Sequence, residues 1–509
     1  MTKKDESNGT DVIRLHPGDN VAVAVRAIAP GTAIAAENVT ALDAIPFGHK
    51  IATRPIAKGE PVRKYGQVIG VATEDIAPGR HVHVQNVAIS GLRSEAGKAQ
   101  VFHAHEAPRS FMGYKRADGR VGTRNYVAVL TSVNCSATVA RFIADAAVKT
   151  GLLNEFPNID GIVPITHSSG CGMAAKGEPY DLLVRTLWGT ANSPNFGAVL
   201  LVGLGCEVLQ IARIQKDYAI ATGAHFQSFN IQDVGGTKKA VEEGLARLKL
   251  MLPTANAAKR SEQKASELVV GLQCGGSDAW SGVTANPALG NACDRLVALG
   301  GTVILSETPE IYGAEHLLYA RAASPAIVEA LRARIVWWEN YTKINGMEMN
   351  NNPSPGNKAG GLTTILEKSL GAVAKAGTSP LNEVIEYAKP VTKRGFVFMD
   401  CPGLDPCSAT GQVASGANLL TFTTGRGSAF GCKPTPSIKL ATNTAMYQRM
   451  TEDMDINCGT IATGEASVAE KGAEILTYML DVASGKKTKS EELGYGDLEF
   501  VPWHIGAVM

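Results

Sequence analysis

Seven short apolar runs, each handing over to a chemically reactive residue, constrain this 509-residue chain more than any other feature. They are "YVAVLTSV" (126–133), "GIVPIT" (161–166), "AVLLVGLG" (198–205), "LVVGLQ" (268–273), "TVILS" (302–306), "GFVFM" (395–399) and "LLTFTT" (419–424). A strand with one wet face alternates apolar and polar residues. Runs without alternation belong to strands covered on both faces, as in parallel α/β sheets. Helical patterns fall at 207–216, 314–343, 361–377 and 465–484. The "ASP" at 323–325 is expected to break the second of these, because proline lacks the N–H a helix needs.

The residues at the carboxyl end of each run form the second constraint. In order come "NCS" (134–136), "HSSGCG" (167–172), "CE" (206–207), "CGGSD" (274–278), Glu307, "DCPG" (400–403) and "GRG" (425–427). Open α/β sheets bind ligands outside the carboxyl ends of their strands. One cysteine there is ordinary packing, since free cysteine behaves as a small apolar residue. Seven such ends together predict a site. Cys135, Cys171, Cys206 and Cys274 lie in Gly- or Ser-flanked loops and are candidate ligands, whereas Cys293, Cys407, Cys432 and Cys458 read as structural. His167 is a candidate base or ligand. "NPSPGNKAGGL" (352–362) reads as a glycine-rich loop entering a helix near 361, where backbone N–H groups and Lys358 suit a carboxylate or phosphate. Its spacing is not that of a P-loop. Arg426 is a second candidate anion holder.

The first hundred residues have a different texture. "RAIAPGTAI" (26–34), "RPIAKGEPV" (54–62) and "EDIAPGRHV" (74–82) repeat an Ile-Ala, a Pro or Lys, a Gly and a short extended piece. Pro-Gly and Lys-Gly between β-type segments are turn signals, so the region reads as a small all-β module of hairpins. The third copy continues into "HVHVQN" (81–86). His81 aligns with Ala33 and Pro61 of the other copies, so the turn itself does not require histidine. Residues i and i+2 of a strand share a face, which lets His81 and His83 reach one ion. The expected organisation is a disordered tail (1–10), the β-module (11–97), a linker (98–110), an α/β domain (111–262) and a C-terminal α/β domain (263–509).

Charge and composition exclude several classes. Lys plus Arg number 49 against 48 Asp plus Glu, a formal net charge of +1, so no basic nucleic-acid surface is expected. There is no run of eighteen apolar residues, and the start "MTKKDESNGT" lacks the apolar stretch of a signal peptide. Neither a membrane partner nor secretion is expected, and a cytoplasmic enzyme of small-molecule chemistry fits best. No CxxC occurs, which removes zinc ribbons. "GLGCEV" lacks the GxGxxG spacing of a nicotinamide dehydrogenase. A non-catalytic small-molecule binding protein would be expected to lack the reactive strand ends.

Taken together, "GYKRADGRVGTRNY" (113–126), "SVNCS" (132–136), "HSSGCG" (167–172), "GLGCE" (203–207), "QCGGSDAWSGVTANPALG" (273–290), "SETPEIYGAEHLL" (306–318), "NPSPGNKAGGL" (352–362), "VASGANLLTFTTGRG" (413–427) and "DINCGTIATGE" (455–465) closely resemble the altronate/galactarate dehydratase family of sugar-acid hydro-lyases. The resemblance runs almost end to end. It implies an N-terminal SAF-type β-clip followed by parallel-sheet, Rossmann-like α/β domains. It also implies dehydration of D-altronate, the branch that "HVHVQN" resembles, to 2-keto-3-deoxy-D-gluconate, with galactarate as the alternative substrate. Ferrous iron is the implied cofactor, with manganese as a substitute. Removing a C2 proton beside a carboxylate needs strong stabilisation of the developing charge, which a chelated divalent metal supplies. His81 and His83 are the expected iron ligands; the alternative is an iron–sulfur cluster on three or four of Cys135, Cys171, Cys206 and Cys274. His167 or Lys358 is the expected base. Lys50, Asn86, Arg124, Asp278 and Arg426 are the expected substrate contacts, and a homodimer is compatible with the resemblance.

Overall fold

A computed structural model describes residues 11–89 and 106–506; the expected tail and most of the expected linker lie outside the described residues. The N-terminal module is built of nine short strands, from Val12–Ile13 to Val87–Ala88, in sheets of four, three and two. Its repeat is visible in the backbone. Gly31, Gly59 and Gly79 each take φ between +82° and +85°, a left-handed turn conformation that glycine adopts without strain. The isoleucine three residues before each glycine (Ile28, Ile56 and Ile76) is buried and makes an isolated β-bridge. The clip does not stand apart. Ile56, Val62, Ile69, Val82 and Val87 share one apolar core with the C-terminal domain.

The middle domain is a four-stranded parallel sheet in the order Gly161–Ile165, Tyr126–Thr131, Phe196–Gly203, Phe226–Asn230. Val127 and Val129 pack into a core with helices Ala137–Lys149 and Thr237–Asn256, while Ala128 and Leu130 pack into another with Glu178–Ala191. Successive side chains point to opposite faces, and both faces are covered; that is why these runs do not alternate.

The C-terminal domain repeats this logic with seven parallel strands, ordered Leu381–Ile385, Gly395–Met399, Thr302–Leu305, Val269–Cys274, Leu419–Thr424, Ser437–Ala441, Ile456–Asn457. All seven sequence-predicted strands are present. The long helical pattern divides at the expected proline into Glu315–Tyr319 and Pro325–Ile344. The helix expected near 361 starts later, at Ile365, after the short helix Pro355–Ala359. Gly361 at φ +97° interrupts the path, and Thr364 caps the new helix by accepting from Glu367 N.

Arg124 closes the middle domain onto the C-terminal one. Its guanidinium donates to both carboxylate oxygens of Glu491 (2.6 and 2.8 Å) and to the carbonyls of Thr123, Val482 and Lys486. All five donors are therefore spent on protein, which corrects the expectation that Arg124 contacts substrate. Removing one partner of a buried ion pair leaves the other uncompensated, so Arg124→Ala is expected to cost about 3–5 kcal/mol. A lower melting temperature, with KM unchanged in whatever folded protein survives, would identify the residue as a clamp. A raised KM without loss of stability would restore it to the substrate.

Candidate active site

The clip delivers three histidines to one point. Strand Lys50–Ala52 pairs antiparallel with His81–Val82, with Lys50 opposite Val82 and Ile51 opposite His81. Continued by one residue, that register sets His49 opposite His83. The three rings lie 4.7–5.5 Å apart between centroids, and one nitrogen from each converges within 4.8 Å of the others. His49 Nδ1 stands 2.9 Å from His81 Nε2. The His83 Nδ1 atom is buried with no hydrogen-bond partner. Burial lowers the His81 pKa to about 4 and that of His83 to about 3, and it lowers His49 as well. All three are thus neutral imidazoles at physiological pH, the form that ligates metal.

Those properties fit a divalent transition metal. Three nitrogen donors face one another and one of them is orphaned, so an ion there would satisfy the orphan as well as bind. The supporting shell is built for this. Asn86 accepts from His83 N through Oδ1 and donates to the His81 carbonyl through Nδ2, both at 2.9 Å. Asn86, expected to touch substrate, is instead spent on holding the two histidines. His49 is the member that reading of the sequence missed. The signal that locates it is the pairing register, which becomes visible only when the strands are assembled.

Directly beneath the histidines lies a buried charge cluster. Lys50 Nζ bonds the Gly361 carbonyl (2.7 Å) and Glu367 Oε2 (2.9 Å), while Lys64 Nζ bonds Glu367 Oε1 (2.9 Å). Two cations share one carboxylate, so the cluster carries a surplus positive charge. Burial brings the Lys50 pKa down to about 8 despite Glu367. For Lys64, burial is outweighed by Tyr65 and Glu367, and its pKa is raised.

The next residue along, Lys368, joins this cluster to the strand ends of the sheet. Its Nζ lies 2.6 Å from Glu310 Oε1, which also accepts from Asn352 Nδ2 (2.9 Å). Cys274, at the end of strand Val269–Cys274, lies 3.5 Å from Glu310 and 2.7 Å from Lys375 Nζ. Glu307 completes the group. It adopts φ +71°, is 1% exposed, and both its carboxylate oxygens lack a hydrogen-bond partner. Burial and the neighbouring Glu310 drive its pKa well above the usual carboxylate range. Glu310, despite its burial, is held below that range by Lys368 and Lys375. Two adjacent carboxyls pushed in opposite directions are the arrangement of an acid and a spectator anion. A small cavity lined by Tyr65, Cys274, Ser277, Asp278, Glu367 and Lys368 connects the two clusters.

The other expected residues divide. Lys358 sits half-buried on helix Pro355–Ala359, whose last carbonyl lies 3.3 Å from His49 Nε2. The exposed Arg426 lies against Gly360, with its Cδ 3.3 Å from where a Cβ on that glycine would stand. Lys50 directly follows His49, and the segment that carries Lys358 adjoins both His49 and Arg426. Asp278 is not available to a ligand. Its buried carboxylate accepts from Trp280 N, Ser281 N, Thr442 Oγ1 and Asn443 Nδ2, which corrects it to a residue that positions the 278–281 turn. His167 is corrected too. Nε2 lies 3.0 Å from the Thr131 carbonyl and Nδ1 accepts from Ser169 N (3.2 Å), so neither nitrogen is free to take a proton. Cys274 is separated from Cys135, Cys171 and Cys206, which belong to the middle domain. A cavity of about 870 Å³ lies at the amino ends of the strands between Arg185, Trp188, Val269 and Asn418. That is the end opposite to the one ligands use in such sheets.

Comparison with known proteins agrees with this layout. The SAF domain model of altronate/galactarate dehydratases matches residues 10–90, the second-domain model of D-galactarate dehydratase/altronate hydrolase matches 113–256, and the C-terminal model matches 265–508. The chain is 39% identical to galactarate dehydratase (L-threo-forming) of Escherichia coli K12, covering 95% of this chain and 94% of that one. It is 35% identical to altronate dehydratase of the same organism (96% and 98% covered) and 34% identical to that of Bacillus subtilis 168 (96% and 97%). Among the described residues no helix is long and apolar enough to cross a membrane. With three successive family models spanning nearly its whole length, the chain belongs to the galactarate/altronate dehydratase family of hydro-lyases.

Proposed function

We propose that the chain dehydrates D-altronate to 2-keto-3-deoxy-D-gluconate by removing the C2 proton and releasing the C3 hydroxyl. The observation that carries this reading is the buried surplus cation, Lys50 and Lys64 on one Glu367, directly beside three neutral imidazoles. Such a site attracts an anion and holds it next to a metal position. Bound by His49, His81 and His83, Fe(II), or Mn(II) in its place, would supply Lewis-acid stabilisation of the charge that develops on the carboxylate. Arg426, exposed beside Gly360 and not paired with a carboxylate among the described residues, holds the substrate carboxylate. Lys358, the expected base that the fold leaves without a carboxylate partner among the described residues, takes the C2 proton. Lys50, donating to the Gly361 carbonyl and both Glu367 oxygens, stays part of the buried cation. Glu307, protonated, without a hydrogen-bond partner and 3.9 Å from Lys375 Nζ, delivers the proton that lets the C3 hydroxyl leave as water.

A second reading is dehydration of galactarate. The 39% identity to a galactarate dehydratase favours it. The test is an anaerobic assay of the purified chain with Fe(II), comparing D-altronate, galactarate and D-mannonate and following 2-keto-3-deoxy product. Turnover of D-altronate at the highest kcat/KM is expected. Preference for galactarate moves the assignment to the second reading, and no product from any of the three sinks both.

A further inference from the structure

The nine cysteines of the chain fall into two populations. Six are buried: Cys274, Cys293, Cys401, Cys407, Cys432 and Cys458. Burial pushes all six thiols upward, Cys274, Cys407, Cys432 and Cys458 to about 12, which keeps them protonated and inert. The remaining three, Cys135, Cys171 and Cys206, are exposed, and all belong to the middle domain. Each lies just past the carboxyl end of one of three adjacent parallel strands: Tyr126–Thr131 in the centre, with Gly161–Ile165 and Phe196–Gly203 on either side.

The loops that carry them are tied into one patch around Gly170. A Cβ at Gly170 would stand 2.2 Å from the Ser132 carbonyl oxygen and 2.8 Å from Val133 Cα, so the Cys171 loop lies directly on the one leading to Cys135. Asn134 N donates to the Ser169 carbonyl (2.9 Å), and Leu209 N donates to the Gly170 carbonyl (3.2 Å), which draws in the Cys206 loop. His167, with both ring nitrogens spent on Thr131 and Ser169, pins the same loop from beneath. Gln232 Nε2 lies 3.5 Å from Cys206 Sγ, a donor suited to a thiolate. Cys135 also sits just ahead of the N-terminus of the thirteen-residue helix Ala137–Lys149.

We propose that Cys135, Cys171 and Cys206 hold a [4Fe–4S] cluster, a cofactor site separate from the three histidines and independent of the dehydratase reading. Thiolates alone select soft metals and iron–sulfur clusters rather than a hard divalent ion. The spacing chooses between these. Among the described residues, two groups of three donors converge within 4.8 Å, one on the histidines and one on Cys274, Glu307 and Glu310. The three exposed cysteines do not form such a group, so they are not gathered as ligands to a single zinc would be, while the loops that carry them are hydrogen-bonded to one another as a shared cluster requires. Three thiolates leave the fourth iron without a protein sulfur, open to water or an oxygen ligand.

The test uses the full chain, reconstituted anaerobically with iron and sulfide and then desalted. About four acid-labile sulfides per chain are expected, with the visible charge-transfer absorption of a cluster and an electron paramagnetic resonance signal after reduction. Cys135→Ser, Cys171→Ser and Cys206→Ser should each lower sulfide content at least fourfold, and the triple variant should abolish it. Because these side chains are exposed, the circular dichroism spectrum and melting temperature of the cluster-free variants should match those of the cluster-free parent, which separates loss of cluster from loss of fold. Cys274→Ser should retain full sulfide. Sulfide retained in the triple variant, sulfide near zero in the reconstituted parent, or stoichiometric zinc bound in place of iron and sulfide would each overturn the proposal.

Discussion

Replacing His83 with alanine is expected to abolish stoichiometric Fe(II) binding and to lower kcat/KM by about 10³-fold, since a metal acting as Lewis acid supplies several kcal/mol of transition-state stabilisation. The size reflects the role of the side chain in the folded protein. His83 Nδ1 is a buried acceptor with nothing to accept from, and its neighbours His49 and His81 converge on the same point. Without metal, that orphaned nitrogen is a cost. Alanine removes it, so the melting temperature of the metal-free variant should fall little. The rise in melting temperature on adding Fe(II) should disappear, because binding only to the native state stabilises it in proportion to ligand concentration over Kd. Asn86→Ala is a graded control. It leaves all three nitrogens but frees the turn that Asn86 clamps, and it is expected to weaken metal affinity about 10–100-fold. Isothermal titration with Fe(II) under anaerobic conditions reads both variants. Unaltered Fe(II) binding by the His83 variant would move the metal away from the clip.

Whether a residue's place is legible in the sequence depends on where its partners lie. The seven expected strands are readable because burial leaves a continuous apolar signature, as at Tyr126–Thr131 and Gly395–Met399. Other strands of the large sheet carry no such mark. Leu381–Ile385 exposes its middle residues in part and Ser437–Ala441 contains Lys439, so neither stands out. Within the site, His81 and His83 announce themselves by spacing within one strand. His49 does not, because it is placed by pairing across 32 residues. Glu307 is visible in sequence only as a strand end; its strained backbone and its carboxylate without hydrogen bonds are products of packing. The expectations corrected by the structure fail for one shared reason. Arg124, Asp278 and His167 are polar residues in family motifs, and sequence cannot distinguish a polar side chain that meets a ligand from one saturated by the protein's own backbone.

Glu307→Gln is expected to separate stability from function in opposite directions. Turnover should fall about 10²–10⁴-fold, the usual contribution of a positioned general acid. Stability at neutral pH should rise, a sign set by proton linkage. In the folded chain the Glu307 carboxyl keeps its proton far above the ordinary value of 4.5, because burial and Glu310 oppose its charge. The unfolded chain releases that proton once the pH passes about 4.5. Between that pH and the raised folded pKa the native state binds more protons, so this group's contribution to stability is complete below pH 4.5 and is lost as pH rises. Glutamine has the same shape and no proton to exchange. The melting temperatures of the two proteins should therefore coincide near pH 4.5 and diverge steadily toward pH 8, with the variant the more stable. The backbone strain at φ +71° is common to both and cancels in the comparison. Natural active sites retain such destabilising groups where chemistry requires them, and the ionised neighbour Glu310, paired with Lys368, shows that this pocket can hold a carboxylate comfortably when a partner is supplied. A variant that gains stability yet turns over at the parental rate would leave Glu307 as strain without a role, and the proton for the departing hydroxyl would have to come from elsewhere.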